Sequence, residues 1–214
     1  MTQVNLVDKN GNPLASTRQQ ALMVERRLPD FATLVNEGKV FEVQDTTTTV
    51  ALVARPDVTA SLTMQNPASS GKIYVVFGLN IYTDVVPATL GLVTVWHCVH
   101  KLPAAALTRD LVLQGTGAGT AMPYKGGKTY DGQAILDRGA TVINDGWLPT
   151  PLQNLNNIAT TNFISNSARL LAPVVLPPGM HYSLQTTATV VTFESALGFL
   201  WAELDEDGDD LEYV

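Results

Sequence analysis

Two apolar alternating runs, separated by a break rich in turn residues, restrict this chain more than any other stretch: SLTMQ, then NPASSG, then KIYVVFGLNIY, over Ser61–Tyr82. Leu62 and Met64 alternate with Ser61, Thr63 and Gln65, the period of a half-buried strand. Pro67 has no N–H to give a ladder and is excluded from a central strand. Gly71 takes positive φ at little steric cost and lets the chain reverse. These residues predict a strand over 61–65, a tight turn and a second strand over 72–82, read together as a hairpin. The later half of the chain repeats the pattern, so the expected fold is an all-β sandwich.

With 214 residues, the chain suits one large all-β domain, or one domain with arms. Its hydrophobic fraction of 45% is enough for a core, while charged residues make up only 15%, against about 25% in an average soluble domain. Thr, Asn, Gln and Ser carry much of the polarity instead, which suits a surface covered by neighbours. The net charge of −7 is concentrated at the C-terminus, where seven acids stand between Glu203 and Glu212. Without them 13 acidic residues face 13 basic ones. No basic patch with interleaved aromatics stands out, which argues against nucleic acid as a partner. Cys98 is the single cysteine and has no internal partner for a disulfide. The N-terminus lacks the apolar core of a signal peptide, and no apolar run approaches the roughly 20 residues that span a bilayer. The expectation is a soluble protein made in the cytoplasm, with no membrane partner.

Residues 1–39 differ in pattern from the rest and are read as an N-terminal arm or short helix. Ser16 to Leu28 fits a helix, with Ser16 as N-cap and Gln19 three residues on, ended by Pro29. Arg26 and Arg27 would anchor such an arm on a neighbouring subunit. From Val40 to Leu204 the β pattern holds, with strands expected at 40–44, 46–53, 90–99, 107–114, 170–176, 181–187, 188–193 and 197–204. Pro177-Pro178-Gly179 turns 170–176 back onto 181–187. Between Gly115 and Asn166 the pattern becomes irregular, with eight glycines, and reads as one long excursion of the kind that is functional or protected by a partner. Residues 205–214 read as a disordered acidic tail, because the glycine of Asp205-Glu206-Asp207-Gly208-Asp209-Asp210 falls too early for an EF-hand loop.

Chemistry-bearing motifs are incomplete. Gly127-Lys128-Thr129 lacks the earlier glycine of a phosphate-binding loop, since Met122 stands there, and lacks a following apolar helix. In His97-Cys98-Val99-His100, alternation along a strand puts His97 opposite Cys98 and His100, and two ligands do not make a zinc site. The His-x-His, carboxylate and later His of a cupin are absent, leaving His181 alone. Asp131, Asp137, Asp145 and Glu194 are scattered acids without a paired arrangement visible in sequence. No serine sits in a nucleophile elbow, and Cys98 lies in an apolar strand. No catalytic residue, cofactor site or metal site is expected.

Three features resemble the jelly-roll structural proteins of tailed-phage virions. They are Asn66-Pro67-x-Ser69-Ser70-Gly71-Lys72 before a long strand, Pro177-Pro178-Gly179 in a late turn, and a closing strand ending Gly198-Phe199-Leu200-Trp201-Ala202-Glu203. They cover roughly residues 40–204. The resemblance implies a jelly-roll sandwich with no enzymatic residues, placed in the virion as a head decoration (cement) protein that binds capsid subunits. The candidate strands 90–99 and 72–82 carry only Lys72 besides histidines, so their edges are expected to be covered by neighbouring copies in a closed homo-oligomer, for which the resemblance implies a threefold form. An alternative is a receptor- or glycan-binding module that uses Tyr124, Tyr130 and Trp147 of the 115–166 excursion to stack on sugars. A third is a jelly-roll hydrolase or cupin.

Overall fold

The computed structural model describes residues 31–85, 93–101, 121–127, 130–143, 146–150, 165–189 and 192–206. Among these residues one helix, α1 (Phe31–Glu37), precedes the strands β1 (Val40–Gln44), β2 (Thr49–Val50), β3 (Leu62–Gln65), β4 (Lys72–Val85) and β5 (Val93–Lys101). There follow β6 (Met122–Pro123), β7 (Ile135–Arg138), β8 (Leu148–Pro149), β9 (Ser165–Leu176), β10 (Met180–Ala188) and β11 (Glu194–Asp205). A six-stranded sheet has the order β6-β1-β11-β4-β9, with β2 also paired to β11, and a five-stranded sheet has the order β7-β3-β10-β5-β8. All these pairings are antiparallel. The protein is an all-β sandwich.

The inner faces follow the alternation of the sequence. Phe41 and Val43 of β1, Tyr74, Val76, Leu79 and Ile81 of β4, and Leu197, Phe199 and Trp201 of β11 point to one core. They meet Leu62 and Met64 of β3, Val93 and Val95 of β5, Leu136 of β7, and Tyr182 and Leu184 of β10. In β11 and the first half of β4 the alternate residues are apolar as well, because the outer face of the six-stranded sheet is covered by α1. Leu34 sits there with Val40, Val75, Ala202 and Leu204, flanked by Phe31, Val35 and Phe77. Burying one such leucine contributes about 1.5–3 kcal/mol. The helix stops at a turn in which Gly38 N donates to Val35 O at 2.9 Å and Lys39 N to Leu34 O at 3.0 Å.

The break at 66–71 is a corner between sheets, not a hairpin. β3 belongs to the five-stranded sheet and β4 to the six-stranded one. Gly71 has φ 60, as its place in the turn requires. The turn at 177–179 is a second corner of the same kind, since β9 and β10 also lie in different sheets. Fully buried Asn66 ties the two corners together: its backbone N donates to Met180 O at 2.9 Å, and its O accepts from Gly179 N at 3.0 Å.

Several boundaries differ from the sequence expectation. The body begins by Phe31, not at Val40, because α1 supplies Leu34 to a buried layer. The expected helix over 16–28, with Arg26 and Arg27, lies outside the described residues, as does the strand expected over 107–114. The strand expected over 46–53 shrinks to β2, followed by a parallel bridge from Leu52 to Thr187. The 115–166 excursion is not merely irregular: its described parts supply β6, β7 and β8 and several core side chains. At the C-terminus β11 runs through Asp205, which pairs with Lys72 Nζ, and Glu206 N donates to Gly71 O at 3.0 Å. The acidic cluster therefore begins inside the fold, and residues 207–214 lie outside the described ones.

Candidate functional site

The three aromatics expected to offer a sugar-stacking surface do not share one. Tyr124 is 44% exposed beside β6; its hydroxyl donates to Glu42 Oε2 at 3.0 Å and its ring meets Phe31 edge-on at 6.2 Å. Burial, then Glu42, pushes its hydroxyl above the ordinary tyrosine range. Tyr130 and Trp147 are only 3% and 1% exposed, so neither can stack on a ligand. Both stand in loop backbone but bury their large rings against the sheets.

Tyr130 closes one end of the sandwich together with Glu203. Alternation along β11 points Glu203 inward, after Phe199 and Trp201. Its Oε1 accepts from Tyr130 OH at 2.8 Å and Trp201 Nε1 at 3.1 Å, and its Oε2 accepts from Gln133 N at 3.0 Å. Tyr130 OH in turn accepts from Ala134 N at 3.0 Å. Burial first, and the Glu203 carboxylate second, drive the Tyr130 hydroxyl far above its usual range. A Cβ at Gly132 would collide with Glu203 Oε1 and Tyr130 OH, so only glycine lets the backbone approach this closely. Beside this joint lies a cavity of about 210 Å³, lined by Lys39, Phe41, Lys72, Asp131, Gln133 and Glu203 among others. Lys72 is paired with Asp205, whose carboxyl this hydrogen bond holds below the usual range, and Lys39 Nζ lies 3.1 Å from Glu37. With three donors on its oxygens, Glu203 is placed to anchor the 130–134 segment, a holding role.

The other scattered acids do not converge on a site. Asp45, at the end of β1, takes two hydrogen bonds from Arg138 of β7, and Glu194 accepts from Thr48 Oγ1 at 3.0 Å. Glu194 and Glu203 lie toward opposite ends of β11. Asp137 is buried on β7, Asp131 lines the cavity, and Asp145 lies outside the described residues.

Around β5 the expected facing holds. His97 points inward, with Nδ1 3.0 Å from Tyr182 OH, while Cys98 and His100 point outward with Cys98 Sγ 3.5 Å from His100 Nδ1. Burial lowers the His97 imidazole from its usual value. Burial, followed by the nearby Cys98, raises the Tyr182 hydroxyl. Sequence reasoning left His181 alone, yet the β10–β5 register sets it directly across from His100. That partnership follows from pairing distant strands, and no local signal announces it. Among the described residues no group of three or more His, Cys, Asp or Glu side chains is arranged to hold a metal.

The outermost strands are β6, β7, β8 and β9. Among the described residues β6 and β8 have two residues each and β7 has four, which leaves β9, with 12, as the one long edge. It is interrupted: where β4 passes from Val76 to Gly78, β9 passes from Val174 to Arg169, and Pro173 lies in the irregular part. A bulge and a proline both discourage a further strand from adding there. Exposed apolar side chains lie on both sheets: Val58, Ile143 and Leu148, 42%, 40% and 61% exposed, on or beside the five-stranded sheet, and Met122 of β6 and Val175 of β9, 62% and 51% exposed, on the six-stranded one. Among the described residues no helix is long and apolar enough to cross a membrane. No protein-family profile, curated protein or solved structure matches the chain.

Proposed function

We propose that the sandwich is a jelly roll and that the chain is a virion structural protein, a decoration or cement protein that binds and stabilises neighbouring capsid subunits as a homotrimer. The supporting observation is the strand order. The chain enters the six-stranded sheet with β1, crosses with β3, returns with β4 and crosses again with β5. It touches the six-stranded sheet with the two-residue β6, comes back for β7 and β8, then alternates sheets through β9, β10 and β11. The resulting pairing, β1-β11-β4-β9 against β3-β10-β5-β8, supports the jelly-roll reading, an architecture of capsid and lectin domains and cupins. Fold alone does not select among these. The resemblance in sequence favours the virion, and burial of Tyr130 and Trp147 removes the aromatic platform that favoured a lectin.

Contacts between copies and with the capsid use faces. The long edge β9 is bulged and carries Pro173, so edge pairing gives little support to assembly. Val58, Ile143 and Leu148 offer apolar area over the five-stranded sheet. No catalytic step is assigned to the chain. Co-sedimentation of the purified protein with emptied capsids tests this reading. Saturable binding that raises the capsid disassembly temperature is expected. Absence of binding to capsids, with binding to a glycan array, would replace it with the receptor-binding alternative.

A further inference from the structure

The cavity of about 210 Å³ at one end of the sandwich has room for several waters or one small organic group. Buried Glu203 of β11 and buried Phe41 of β1 line it, and Asp131 and Gln133 stand exposed at its rim. The Glu203 carboxylate is held in place. Tyr130 OH and Trp201 Nε1 donate to Oε1, and Gln133 N donates to Oε2. The backbone of Gly132 comes so close that a Cβ there would meet Oε1 at 2.3 Å. A carboxylate offers about four acceptor positions, two on each oxygen. Among the described residues, donors take both positions of Oε1 and one of Oε2. The position left over is on Oε2, beside the cavity that Glu203 lines.

We propose that this cavity is a socket for one organic cation, a primary ammonium or guanidinium group carried on an aliphatic stem. Lys39 and Lys72 also border it, but Lys72 is paired with Asp205 and Lys39 Nζ lies 3.1 Å from Glu37. Four carboxylates, those of Glu37, Asp131, Glu203 and Asp205, thus face two ammonium groups, which leaves a formal excess of two negative charges. That excess draws a cation in and turns an anion away, more strongly at low salt. The N–H of the incoming head fills the open position on Glu203 Oε2, and Phe41 gives the stem an apolar neighbour. Because Tyr130, Trp201 and Gln133 already fix the carboxylate, little ordering opposes binding. Among the described residues no three acids, histidines or cysteines are arranged as ligands for a metal ion, so the geometry favours an organic head over a metal. The same head group is found on a lysine or arginine side chain of a partner protein and on a free diamine.

NMR titration of the whole protein near neutral pH tests this. The Trp201 indole N–H and the Gln133 amide N–H report on the two oxygens of Glu203, and with three tryptophans in the chain the indole is assigned with Trp201→Phe. The probes are putrescine and the capped tripeptides acetyl-Gly-Lys-Gly-amide and acetyl-Gly-Arg-Gly-amide. Tetramethylammonium chloride, a cation with no N–H to donate, is the control at equal ionic strength. The expected result is a saturable shift of both signals with putrescine or a tripeptide and none with the control. Tighter binding of a tripeptide assigns the socket to a protein side chain, and tighter binding of putrescine assigns it to a free amine. Affinity should fall at least about threefold in Asp131→Asn and be lost in Asp131→Lys, which removes the excess charge. Glu203→Gln should also abolish binding; if it does not fold, the Asp131 variants, changed at an exposed position, decide. No saturable shift, an equal shift with tetramethylammonium, or an affinity unchanged in Asp131→Lys overturns the proposal. The measurement uses the purified protein alone, so its outcome is separate from that of capsid co-sedimentation.

Discussion

Asn66 Nδ2 donates to the backbone carbonyl of Leu176 at 2.8 Å, and so fastens the corner after β3 to the end of β9. Its second amide hydrogen goes to Lys72 O at 2.7 Å, and its Oδ1 accepts from Ser70 Oγ at 2.5 Å. One buried side chain thus fixes two of the places where the chain passes between sheets. Asn66→Ala leaves two carbonyls and a hydroxyl short of a partner and is expected to cost about 2–4 kcal/mol in urea unfolding. Asn66→Asp should be no better at neutral pH, because an acceptor then faces two carbonyls. A loss under about 1 kcal/mol in both would show that the corners hold without this amide.

Arg138 and Asp45 link the two sheets at their edges. Nε donates to Oδ2 at 2.6 Å and Nη2 to Oδ1 at 2.5 Å, and Asp45 is 2% exposed. In Arg138→Met the buried Asp45 carboxylate keeps the bond from Thr47 N at 2.8 Å and loses both from Arg138. Arg138→Met should destabilise by about 2–4 kcal/mol, and the pair Arg138→Met with Asp45→Leu by less than the sum of the singles. Additive losses in that double-mutant cycle would mean that the two side chains act independently.

Alkaline pH should weaken the fold through its buried phenols. The Tyr130 and Tyr182 hydroxyls are both raised, chiefly by burial. In the unfolded chain they ionise near pH 10, whereas in the native state they stay protonated, so the native state binds more protons. Stability is unaffected below about pH 10 and falls as pH rises past it. In Tyr130→Phe the alkaline loss should be smaller, at the cost of about 1–3 kcal/mol at neutral pH from the lost bond to Glu203. An alkaline unfolding curve unchanged by the substitution would contradict the assignment.

Gly132 tests the same joint sterically. Gly132→Ala sets a methyl against Glu203 Oε1 and Tyr130 OH and should destabilise by about 1–3 kcal/mol, read as a lower thermal midpoint. A neutral result would show that the 130–134 segment can move away freely.

What was legible in the sequence was local. Leu62 and Met64, the positive φ of Gly71 and the apolar runs of β4 and β11 announce strands and turns, because alternation and turn chemistry act over a few residues. Whether a corner closes a hairpin or crosses between sheets depends on Asn66 reaching Leu176, a contact spanning 110 residues. For the same reason Tyr130 and Trp147 read as exposed candidates: nothing nearby in sequence reveals the Glu203 carboxylate or the Cys98–His100 face that buries them. Glu203 belongs to the expected closing strand over 197–204, but nothing local reveals Tyr130 and Gln133, which donate to its buried carboxylate. Tyr124 alone kept the exposure expected of it, and it lies beside α1 on the opposite sheet from Trp147.

The most direct test of the virion reading is quantitative peptide mass spectrometry on virus particles purified from a culture that carries this coding sequence. A structural decoration protein of threefold form predicts tryptic peptides of this chain in the particle band, in a fixed ratio to the capsid subunit that survives repeated gradient purification. Peptides confined to the soluble fraction, or present in particles only in trace and variable amounts, would contradict it.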